Sequence, residues 1–99
     1  MRAEGFIYIA HSDASGLFKV GISVTPERRI TALQTADPSI KLLGSWATSD
    51  MPLIERLVHR RLSPCHISRE WFHLSPAMLS WLRDLLEGKP VGSPPLHLN

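Results

Sequence analysis

The sequence predicts an α+β fold: a small three-stranded antiparallel sheet flanked by helices, in the order ββαβα with one further helix at the C-terminal end. Three observations carry this. Two short N-terminal segments alternate in the strand manner and are separated by a turn-rich hexapeptide. Three later segments begin behind a capping side chain, two of them directly on a proline, and continue with apolar residues at helical spacing. A third strand-like run, "IKLLGSWA" at 40–47, lies between the first two of those helices.

The first strand is "GFIYIA" at 5–10, with Ile7 and Ile9 on one face and Phe6 and Tyr8 on the other. "HSDASG" makes the turn, and "LFKVGI" at 17–22 returns antiparallel to it. Period two puts Phe18, Val20 and Ile22 on one face and Leu17, Lys19 and Gly21 on the other. If Ile7 and Ile9 meet Phe18 and Val20 in the core, then Tyr8 and Lys19 share the opposite face. Thr25, Pro26 and Glu27 start the first helix: a cap, a proline suited to the first helical position, and an acid at the positive helix end. It runs to about Thr35, burying Ile30 and Leu33, and stops before Asp37 and Pro38.

Asp50 caps the second helix, "MPLIERLVHRRL", which Pro64 ends. Leu53, Ile54, Leu57, Val58 and Leu62 fill about half its circumference, with Glu55 and His59 one turn apart at the stripe's edge. "REWFHL" is a short extended piece, with Trp71 and Phe72 read as core residues. Ser75 and Pro76 then start a third helix that reaches about Glu87 before Gly88. Residues 1–88 read as one domain and 89–99 as a flexible tail.

Composition narrows the functional classes. At 99 residues the chain holds one core. Its apolar runs are too short to span a bilayer. The single cysteine, Cys65, cannot form an internal disulfide, which points to a reducing, cytoplasmic setting. A net charge of +2 is a weak pointer to a polyanion, although arginines cluster at Arg28 with Arg29 and at Arg60 with Arg61. His59, Cys65, His66 and His73 lack the paired spacing of structural zinc sites.

Tyr8 in the first strand, "KVG" at 19–21, an arginine eight residues past that glycine, and Glu55 in a later helix together resemble the GIY-YIG nuclease superfamily. "GFIY" stands for the GIY element and "KVG" for YIG. The likeness is closest to a divergent, often viral branch with Lys in place of the second tyrosine, a His in the Glu-bearing helix and a Glu-Trp-Phe segment. Here these are Lys19, His59 and residues 70–72. It covers residues 5–74.

The resemblance implies a metal-dependent endonuclease that hydrolyses DNA phosphodiester bonds. Glu55 would bind Mg²⁺ or Mn²⁺, a hard cation that keeps most of its waters. Arg29 would hold the scissile phosphate with its planar fork. Tyr8 would orient or deprotonate the attacking water, and Lys19 would lower the tyrosine pKa or touch the phosphate. His59 would relay a proton or contact DNA. Arg28, Arg60 and Arg61 would bind DNA phosphates, and Glu70 is a further candidate for metal or water, its competing reading being an ion pair with Arg69 or a neighbour. Leu33 stands where many members carry His or Tyr, which supports the alternative of a non-catalytic DNA-binding module that keeps the fold.

Overall fold

The structure, a computed structural model, describes residues 3–95. Its elements are β1 (Gly5–Ser12), β2 (Phe18–Ser23), α1 (Pro26–Leu33), β3 (Ile40–Thr48), α2 (Met51–Arg61), a 3₁₀ turn (Ser63–Cys65), β4 (His66–Ser68), β5 (Trp71–Phe72) and α3 (Pro76–Leu86). The fold is α+β, and the sheet has five strands rather than three, in the order β3-β1-β2-β5-β4. All its neighbours are antiparallel. The "REWFHL" piece supplies β5, and β4 precedes it. Both are too short to display a period of two.

The β1–β2 hairpin has the expected register. Ile7 faces Ile22 and Ile9 faces Val20, while Tyr8 lies opposite Gly21 and Ala10 opposite Lys19. Alternation therefore gives the sheet two apolar faces. On one, Ile7, Ile9, Val20 and Phe72 pack with Val58 of α2, with Leu62 just past its end, and with Met78, Trp81 and Leu82 of α3. On the other, Tyr8 and Ala10 pack with Ile30 of α1 and with Ile40. So α1 covers one face, and α2 with α3 covers the other.

Helix starts follow the sequence with one exception. Asp50 accepts from the Leu53 N–H at 3.3 Å, and Ser75 accepts from the Met78 N–H at 3.1 Å. Thr25 occupies the cap position of α1 but makes no side-chain cap hydrogen bond, so Pro26 and Glu27 carry that start. The apolar stripe of α2 is only half covered: Val58 and Leu62 are buried, whereas Leu53 and Leu57 are about two-fifths exposed at 41% and 42%. Asp37 does more than stop a helix. Its carboxylate accepts from the buried Ser12 hydroxyl at 2.6 Å and from the Ser39 hydroxyl at 2.6 Å, tying the hairpin end to the α1–β3 connection.

Residues 91 and 92 of the tail touch the body of the domain. Val91 packs against the first core, and the Trp81 indole N–H donates to the Gly92 carbonyl at 2.9 Å. Residues 96–99 of the expected flexible tail lie outside the described residues. Among the described residues, no helix is long and apolar enough to cross a membrane.

Candidate functional site

Groups on α1 and α2, which lie on opposite faces of the sheet, can meet only past an edge. That edge is β2. Strand β5 pairs with it at Phe18 and Lys19 alone, leaving residues 21–23 without a strand partner on that side. Where β5 departs, both outward groups of Val20 are satisfied: its N–H donates to the Glu70 carbonyl at 3.0 Å, and its carbonyl accepts from His59 Nε2 at 2.8 Å. A carbonyl only accepts, so Nε2 carries the imidazole proton. The His59 ring also stands edge-on to Phe72, with centroids 5.0 Å apart. His59 thereby fixes α2 against the strand edge and holds Glu55, one turn earlier, beside it.

Tyr8 lies level with Gly21, and its ring occupies the space a side chain there would need. The phenol is buried, which raises its pKa. The Arg29 guanidinium, reaching from α1, opposes the rise, while the charges of Glu70 and Glu55 reinforce it. The sequence reading gave the role of cationic neighbour to Lys19. In the structure Arg29 is the cation that acts to lower the tyrosine pKa, and Lys19 is engaged by a carboxylate.

Lys19 is buried, with its ammonium 2.6 Å from Glu70 Oε1 and 5.6 Å from the centre of the Trp71 ring. Glu70 therefore pairs with a lysine 51 positions away in sequence, not with Arg69. Arg69 instead adopts a positive φ of 52° in the β4–β5 turn, and its carbonyl accepts from His66 Nε2 at 2.7 Å. That turn aims Glu70 back at the edge of β2.

Glu55 and Glu70 face one another. Burial raises the Glu55 pKa, and the charge of Glu70 adds to the rise against the pull of His59 and Lys19. Glu70 moves the other way: burial would raise it, but the hydrogen bond and charge of Lys19 bring it below the usual carboxylate value. Glu55 Oε2 is buried with no hydrogen-bond partner. An orphaned buried acceptor costs at least about 1–3 kcal/mol.

The structure thus brings together Tyr8, Lys19, Arg29, Glu55, His59 and Glu70 at one edge. It does not bring the other arginines into that cluster. Arg28 is exposed on α1. Arg60 and Arg61 border a hollow with Pro64 and residues 92–94 at the far end of α2. Trp71, read from sequence as core, is only partly buried and forms the wall beside Lys19. No spacing rule could have found the Lys19–Glu70 pair, although a charge inside an apolar strand was a cue that Lys19 had a partner.

Among the described residues, no three His, Cys, Asp or Glu side chains form a ready metal-binding group. Magnesium needs no such group, since it commonly takes one or two carboxylates and keeps its waters. Glu55, with its unpartnered oxygen, and Glu70 fit that requirement.

Fold and site together define a small α+β domain with a mixed acid, base and phenol cluster at an open sheet edge. The chain belongs to the T5orf172 domain family, whose family model matches residues 5–87. No curated protein and no solved structure matches it.

Proposed function

We propose that this domain is a GIY-YIG-type, metal-dependent endonuclease acting on DNA. The observation that carries the reading is the convergence of Arg29, Tyr8 and Glu55 from three elements past one edge, with an oxygen of Glu55 buried and unpartnered. A module that only bound DNA would gain nothing from burying an unsatisfied acid, which repels phosphate and costs stability. This favours hydrolysis over the binding-only alternative.

Each residue's part follows from its position. A divalent cation held by Glu55, with Glu70 beside it, would supply a Lewis acid and a bound water. Arg29 is exposed enough to grip a phosphate oxygen with its fork while its other side meets the tyrosine hydroxyl. Tyr8, kept neutral by burial, is a hydrogen-bonding phenol that orients the nucleophilic water; acting as a base requires added positive charge nearby. His59 donates to Val20 and so positions Glu55 rather than the substrate.

Incubation of supercoiled plasmid with the protein and Mg²⁺ or Mn²⁺ tests the proposal. Nicking should appear, stop with chelator, and be lost in Arg29→Ala and Glu55→Ala proteins that remain folded. A wild type that binds duplex, single-stranded and branched DNA yet cleaves none of them would overturn it.

A further inference from the structure

We propose that Lys19 is a resident counter-cation of the Glu55–Glu70 pair, so that a divalent metal must displace it from Glu70 in order to bind. The inference deepens the hydrolase reading and rests on it for the presence of a metal. Three observations support it. The ammonium already occupies Glu70 Oε1 at 2.6 Å. The opposing carboxylate has an oxygen that nothing occupies. Finally, the Lys19 side chain is only 8% exposed and walled by Trp71, so its charge stays beside the pair rather than moving into water.

One ammonium brings one positive charge to two carboxylates, and here it donates to Glu70 alone. It neutralises Glu70 and leaves Glu55 Oε2 orphaned. A divalent cation between the acids satisfies both, but takes from Lys19 a charge-assisted hydrogen bond. A buried ammonium so released needs another anion, because an uncompensated charge in that setting is costly. The phosphodiester is that anion. Metal and phosphate therefore bind with positive linkage, and each raises the affinity for the other by the same factor. Without DNA, Lys19 weakens metal binding; with DNA, it helps hold the substrate.

The test measures Mn²⁺ binding to the DNA-free protein by calorimetry at constant pH. Lys19→Met removes the competitor and should tighten Mn²⁺ on the order of tenfold, the equivalent of one charge-assisted hydrogen bond. Lys19→Gln, which keeps a donor toward Glu70 without the charge, should change affinity in the same direction. Glu70→Gln and Glu55→Gln should each weaken binding. Should neither lysine variant fold, the wild type still decides the matter: Mg²⁺ alone should move the Lys19 ammonium resonance in a nitrogen-15 spectrum. Unchanged or weaker Mn²⁺ binding in Lys19→Met, binding indifferent to Glu70→Gln, or an ammonium signal unmoved by Mg²⁺ would each overturn the inference. Intact nicking with no competition sinks this inference alone, and intact competition with no nicking sinks the hydrolase reading alone.

Discussion

Replacing Gly21 by alanine tests how tightly the sheet edge fixes the Tyr8 ring. A Cβ at that position would lie 2.6 Å from Tyr8 Oη and 2.8 Å from Cζ. Carbon atoms rest at about 3.5 Å or more, so the ring must retreat by about 0.7 Å. Tyr8 is 1% exposed and packs with Ala10, Ile30 and Ile40, so there is no slack behind it. Overpacking of this kind costs about 1–3 kcal/mol. For a domain of this length each kcal/mol lowers Tm by about 4–8 °C, giving a fall on the order of 10 °C. A displacement approaching 1 Å in a reacting group lowers rate by up to about a hundredfold. Thermal melts followed by circular dichroism read the first effect, and plasmid nicking well below Tm reads the second. The control is Tyr8→Leu, which removes Oη and Cζ. In that background Gly21→Ala should cost almost nothing further. A Gly21→Ala protein melting within about 2 °C of wild type, or one penalised equally in both backgrounds, would refute the packing argument.

Other expectations follow from the contacts described. His59→Ala leaves the Val20 carbonyl without its partner and removes the edge contact with Phe72, so urea denaturation should show a loss of about 1–3 kcal/mol. Trp81→Phe keeps an aromatic ring but loses the N–H donated to Gly92 and part of the buried indole; stability should fall by at least about 1 kcal/mol, and proteinase K should cut residues 89–95 faster. The Ser12 hydroxyl, then Ser39, hold the Asp37 carboxyl below its usual value. Its folded pKa lies below the unfolded one, so this stabilisation is complete above the unfolded value and fades as pH falls toward the folded one. Ser12→Ala should therefore melt below wild type at neutral pH, with the two curves converging in acid. A gap that is constant with pH would count against this pairing.

Much of the frame was legible because it depends on local periodicity. Period two placed Tyr8 and Lys19 on one face before any partner strand was known, and the register of the hairpin agrees. Asp50 and Ser75 act as caps because their job involves residues only three positions away. What escaped was non-local or too short. A two-residue β5 shows no alternation, yet it closes the first third of β2 and delivers Glu70. A helical wheel shows which side of α2 is apolar but not how far the neighbouring layer extends; Leu53 and Leu57 lie beyond it. Lys19 was visible as an anomaly, but its partner depended on the turn around Arg69, a non-glycine residue with positive φ that no local rule would place there. The same distance hid the approach of Arg29 to Tyr8.

The Val20 amide has a use of its own. Its hydrogen bond ends on the backbone of the residue whose side chain engages Lys19, and the adjoining carbonyl is held by His59. Exchange of that single proton with deuterium therefore follows the opening of β5 away from β2, without a label or a reaction. Slow exchange at Val20 reports Glu70 in place, and fast exchange reports the edge undone. One peptide group is a native reporter of whether the site is assembled.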